Sequence, residues 1–254
     1  MVLAEVRRRP CGPVAVRRVG VLVLALAACE AEDPNDYPIN PGGGGGGGGG
    51  IGRDAGVDAT GDGGTLLVGR VCLVSDLRAL ANCANVGAAG LLVTVGNRTA
   101  ITSETGAFAL VPPTGSGLYW RVTGAAIVPS VMELGATPVI PAIGSDAYLD
   151  LQTTNGVILS PGQGSVVLRV TRGGAPLAGA IVVASPVPQY PTFYDGANAM
   201  VWDEDATGGA GVAWLPGAST GTAAITITPP SGAAVADVLP VEDQAITYAT
   251  VDVP

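Results

Sequence analysis

The residues TSETGAFALVP at 102–112 return as TGGAGVAWLPG at 207–217, and this pair decides the fold. Thr102, Gly106 and Leu110 align with Thr207, Gly211 and Leu215 at a constant offset of 105. Each copy reads as a polar turn, a Gly free to take positive φ, then an alternating strand; Phe108 and Leu110 share one of its faces. Upstream, AGLLVTV at 89–95 matches AGAIVVA at 178–184 at an offset of 89. The two offsets differ by 16, so the second copy carries an insertion between these segments. Two units of about 95 residues fill the span 65–254.

The rest of that span breaks into short β-rich runs bounded by Gly, Pro, Asn and Ser. Further strands are expected at 65–74, 91–95, 118–122, 166–170, 180–184, 223–227 and 246–251. No stretch holds helical periodicity over three turns. With 39 Gly and 20 Pro in 254 residues, turn formers are too frequent for a helical bundle. The expectation is all-β: two tandem sandwiches, residues 65–152 and 153–254.

These motifs carry a resemblance. Gly69-Arg70-Val71 with Thr102 to Pro112 in the first copy, and Ala178 to Ala184 with Thr207 to Gly217 in the second, resemble the carboxypeptidase regulatory-like domain, a transthyretin-like β-sandwich. The motifs are shared with Ig-like surface domains. The resemblance implies a non-catalytic scaffold or binding module.

Composition removes several chemistries. All 12 basic residues are Arg; there is no Lys and no His. That excludes His-based triads, His-ligated zinc, Schiff-base catalysis and the phosphate-binding P-loop. Against 21 acids the net charge is −9, and no Arg cluster remains beyond the N-terminus, so no nucleic-acid partner is expected. No cofactor is implied.

The N-terminus reads as an export signal. Arg7, Arg8, Arg9, Arg17 and Arg18 precede an apolar run from Val19 to Ala28. Ten helical residues rise only ~15 Å, about half the hydrocarbon core of a bilayer. Leu26-Ala27-Ala28-Cys29 resembles the lipobox of bacterial lipoproteins, which implies cleavage of residues 1–28 and acylation of Cys29. Such a product is held in the membrane by its lipid, and Glu30 in the next position favours the outer membrane of the cell envelope. Residues 29–64, with nine consecutive Gly from Gly42 to Gly50, read as a disordered tether. A Gly-rich coil of that length reaches about 30–36 Å root-mean-square.

Removing the signal also removes Cys11, and the lipid takes Cys29. Cys72 and Cys83 remain in an oxidising compartment and are expected to form a disulfide. Closing so short a loop is worth about 3 kcal/mol in the chain-entropy picture. Asp203-Glu204-Asp205 is the densest acidic cluster, either a solvated loop or a calcium-binding turn. The insertion holds Tyr190, Phe193, Tyr194 and Trp202, four of the 11 aromatics in the chain. Those rings either form a ligand-binding loop for a glycan or envelope protein, or pack on the sheet edge or the neighbouring repeat. The functional expectation is a non-enzymatic structural or adhesive envelope lipoprotein. The alternatives are a carboxylate-based envelope enzyme or a subunit of an export or uptake complex.

Overall fold

The computed structural model describes residues 64–80, 82–84, 88–135, 138–196, 201–203 and 205–254. The signal peptide, Cys29, nearly all of the tether and Glu204 lie outside the described residues. The first repeat contributes β1 (Leu67–Val74), β2 (Leu92–Val95), β3 (Arg98–Ile101), β4 (Ala107–Leu110), β5 (Tyr119–Thr123), β6 (Ser130–Glu133) and β7 (Val139–Ile143). One helix follows, α1 (Ser145–Thr154). The second repeat contributes β8 (Gln163–Arg172), β9 (Ala175–Pro176), β10 (Ile181–Ser185), β11 (Phe193–Tyr194), β12 (Val212–Ser219), β13 (Gly221–Thr228), β14 (Val235–Val241) and β15 (Ile246–Asp252). The chain is all-β, as its turn-rich alternation predicts.

Both copies of the repeat are built by the same hydrogen bonds. In the first, Leu91 N–H donates to Thr102 Oγ1 (2.9 Å) and the Thr102 hydroxyl donates to the Ala88 carbonyl. In the second, Ala180 N–H donates to Thr207 Oγ1 (2.8 Å) and that hydroxyl to the Leu177 carbonyl (2.7 Å). Gly106 and Gly211 follow with φ of 78° and 68°. Their carbonyls receive the N–H of Val71 and Val170 at 2.8 and 2.7 Å. The threonine pins the turn to the segment that leads into an earlier strand, β2 or β10, and the glycine lets the chain pass close over β1 or β8.

Each repeat stacks two sheets. In the first, β4-β1-β7 faces β3-β2-β5-β6; in the second, β11-β12-β8-β15 faces β10-β13-β14. The second sheet of the first repeat and the first sheet of the second are continuous. β15 pairs parallel with β6 through Ile246–Ser130, Thr247–Val131 and Tyr248–Met132. The last strand of the chain therefore closes its own sandwich and joins it to the other.

Three apolar cores result. Val71, Val93, Phe108, Trp120 and Ile140 centre the first sandwich; Val166, Leu168, Leu215, Ile225 and Ile227 centre the second. The third lies at the junction and draws on both: Cys72, Val74 and Ile143 meet Val167, Trp214, Ile246 and Tyr248. It exists because β8, β12 and β15 bury both faces. On β12, Ala213 and Leu215 point into the second sandwich while Val212 and Trp214 point into the junction. A strand sealed on both sides carries a continuous apolar run, and VVLRVT in β8 and VAWLP in β12 have that character.

Helix α1 was not expected from periodicity. Its ten residues make fewer than three turns, and Tyr148 is its one buried side chain. Tyr148 plugs the junction core, its hydroxyl 2.6 Å from Ser165 Oγ, and burial pushes its phenol up to about 12.

Candidate functional site

The expected disulfide is present: Cys72 on β1 is bonded to Cys83. It ties the loop 75–84 to the sandwich, and Ala84 forms a bridge to Leu73. The bond adds a covalent tie to a segment that Leu77, buried in the junction core, and Leu80 also hold. Within that loop Arg78 makes a forked contact to Asp76, with Nε and Nη2 at 2.8–3.1 Å from its carboxylate oxygens. Asp76 is held below the usual carboxylate range by its bonds to Arg78, against the opposing effect of its own desolvation.

The rings of the insertion, for which the sequence leaves binding and packing both open, lie against the fold. Phe193 is buried and stacks on Trp214, centroids 5.2 Å apart. Tyr194 is 2% exposed, and its hydroxyl exchanges hydrogen bonds with the backbone of Val182. Tyr190 does the same at the segment between α1 and β8. Its oxygen accepts from Ile158 N–H at 2.9 Å and its hydroxyl donates to Ile158 C=O at 2.8 Å. Trp202 packs 5.6 Å from Trp214, and the Arg78 guanidinium sits over its ring at 5.4 Å. Such a cation–π contact covers a face that a sugar would need. Tyr194 completes the core of the second sandwich, while Phe193, Tyr190 and Trp202 fill the junction core, where rings cover apolar surface with few rotatable bonds.

Asp195 closes the same segment and was not singled out from sequence. Buried at 3% exposure, its carboxylate accepts N–H bonds from Gly208 (2.7 Å), Ala210 (2.6 Å) and Val212 (2.9 Å). Three such donors around one carboxylate fix the turn that leads into β12. Asp203 Oδ1 accepts the Asp205 N–H at 3.2 Å, an ordinary local turn contact. Among the described residues no three of His, Cys, Asp and Glu gather as a metal-binding group.

Beside these rings a cleft of about 380 Å³ stays open where the disulfide loop, α1 and the insertion meet, bordered by Asp76, Arg78, Asp150, Asn155 and Trp202. Trp202 Nε1 and Arg78 Nη1 are buried there without a hydrogen-bond partner among the described residues. Two donors beside the Asp150 carboxylate suit a ligand rich in hydroxyl or carbonyl groups. The cleft offers hydrogen bonding through ring and guanidinium edges; it does not offer a stacking platform.

No protein-family model matches the sequence, and none of the curated proteins does. Solved structures with some likeness include the TIE protein of Bacillus anthracis, 13% identical over 74% of this chain with a TM-score of 0.25. The chain spans about 33% of the length of that protein. The minor pilin GBS52 of Streptococcus agalactiae is 13% identical, with 74% of this chain and 96% of that one covered and a TM-score of 0.24. The shaft pilin SpaA of Lactobacillus rhamnosus GG is 10% identical, covering 74% and 97%, with a TM-score of 0.23. Identities and scores this low assign no family. Among the described residues no helix is long and apolar enough to cross a membrane.

Proposed function

We propose that this chain is a non-enzymatic, lipid-anchored protein of the cell envelope whose two transthyretin-like sandwiches act as one rigid head, presented on a Gly-rich tether for adhesion or for holding a glycan or protein partner. The observation that carries the reading is the junction core. Trp214 stands at its centre, with Tyr148, Phe193 and Trp202 within 5.2–6.2 Å of it, centroid to centroid. Two sandwiches that share a core and a sheet transmit load and hold a fixed angle, which suits a structural or adhesive part. Large aromatic side chains invested in rigidity, with the open cleft beside them, favour binding over catalysis.

Two measurements test it. Calorimetry should show one cooperative unfolding transition for the head; two separable transitions would replace the rigid head with hinged modules. Cells fed an alkyne fatty acid should label the wild type and not Cys29→Ser, and the variant should leave the membrane fraction. Equal label on both, or on neither, overturns the anchor.

A further inference from the structure

A second cleft, of about 440 Å³, opens at the other rim of the junction core. Its walls follow from strand alternation. On β1 the junction face runs Arg70, Cys72, Val74; on β8 it runs Val167, Arg169. On this face each strand thus ends its apolar run at an arginine, one from each sandwich, and both arginines border this cleft. Between them lie Met132, Val139, Pro141 and Tyr248.

Three observations point to what fits there. First, residues 65–254 hold 13 acids and six arginines, yet two of those six line this cleft and, among the described residues, no Asp or Glu does. Second, Arg70 is held in place: its Nε donates to the Thr105 carbonyl at 3.1 Å and its Nη2 to the Ala84 carbonyl at 3.2 Å. Third, the ion pairs among the described residues engage Arg78 and Arg121. Arg169 is half-buried, and among the described residues its guanidinium has neither an ion pair nor a hydrogen bond. A guanidinium partly withdrawn from water without a counter-charge is a site waiting for an anion.

We propose that this cleft binds a small carboxylate carried on an apolar body, the carboxylate meeting Arg169 and the body lying between Met132, Val139, Pro141 and Tyr248. The volume is in the range of small-molecule pockets. The net negative field of the head disfavours anions over most of its surface, so anion binding that is lost with Arg169 reports this cleft. The proposal is independent of the anchor and of the rigid-head reading.

Octanoate and octanamide share a chain and differ in charge, and isothermal titration of the full protein with each decides the matter. Octanoate should bind at one saturable site, at least about tenfold tighter than octanamide, and more weakly as salt rises. Arg169→Gln should bring octanoate down to the level of the amide and leave the amide unchanged. Thr250 is exposed and is the register partner of Arg169 on β15, so Thr250→Glu places a carboxylate beside the guanidinium without touching the core. That variant should lose octanoate by occupying Arg169 internally, and it serves if Arg169→Gln fails to fold. No saturable octanoate binding at millimolar concentration, equal affinity for the amide, or unchanged octanoate affinity in Thr250→Glu overturns the proposal.

Discussion

The hydroxyl of Tyr194 brackets the backbone of Val182: its oxygen accepts the Val182 N–H at 2.9 Å and its proton goes to the Val182 carbonyl at 3.1 Å. Val182 lies on β10, an edge strand hydrogen-bonded on one side only, to β13. An exposed edge presents unpaired N–H and C=O groups that invite another strand. Here a side chain from the insertion takes both groups, and Thr192 Oγ1 adds a bond to the same carbonyl at 3.3 Å. The opposite edge, β14, is blunted by other means. Asp237 accepts the Val238 N–H at 2.8 Å, and Pro240 has no N–H to offer.

Tyr194→Phe should keep the ring in the core and lose only the bracket. The expected loss is about 1–3 kcal/mol in urea unfolding, because two buried backbone groups lose a partner. The variant should also self-associate more readily on partial unfolding, as light scattering would show. A loss below about 0.5 kcal/mol would mean that water reaches Val182 and the bracket is incidental.

Alkaline pH supplies a second check. Burial holds the phenols of Tyr148 (about 12), Tyr194 and Tyr248 above their unfolded value of 10.0. Such groups leave stability intact below pH 10; above it the unfolded chain releases protons that the folded one retains, so stability falls. For Tyr148 alone the decline is about 1.4 kcal/mol per pH unit between pH 10 and 12. Tyr148→Phe should flatten that decline, measured by urea titrations at pH 9, 10 and 11. An unchanged slope would place the Tyr148 phenol in solvent.

The strands that alternation predicts, such as β2, β4, β10 and β13, occur within a residue or two of expectation. β3 and β6 were missed because RTAI and SVME lack the clean apolar–polar alternation that marks β2 and β4, strands of the same length. β7 and β14 were missed because Pro141 and Pro240 read as breakers, though both sit on edge strands where proline is tolerated. The disulfide was legible by elimination. The insertion was legible as a place, since rings are costly in a loop unless used; its use was not, because the surface it covers is created by the meeting of two repeats. Arg169 was illegible for the same reason. A single charge in an apolar strand gains meaning only once the junction face of β8 is known.

Trp202 and Arg78 are predicted to be coupled. The guanidinium rests over the indole at 5.4 Å while Asp76 holds it from below. Trp202→Ala should cost about 2–3 kcal/mol, less than a fully buried Trp because the residue is part-exposed. A double-mutant cycle with Arg78→Gln should return a coupling of about 0.5–2 kcal/mol. Additive losses would show that the two side chains pack independently, leaving the ring face open to ligand.

The repeat itself can be tested at its two glycines. Gly106 and Gly211 both have positive φ, and a Cβ at either would come within 2.5 Å of a backbone oxygen, that of Val71 or Val170. Backbone cannot yield as a flexible side chain can, so Gly106→Ala and Gly211→Ala should each cost at least about 2 kcal/mol from handedness and collision together. Gly173 separates these causes. Its φ is 57°, but a Cβ there meets nothing within 4 Å, so Gly173→Ala should cost only about 1 kcal/mol. Equal costs at all three positions would mean that the threading of each turn over β1 and β8 is loose. A large cost at 106 and 211 with a small one at 173 would establish that both sandwiches are closed by the same backbone contact.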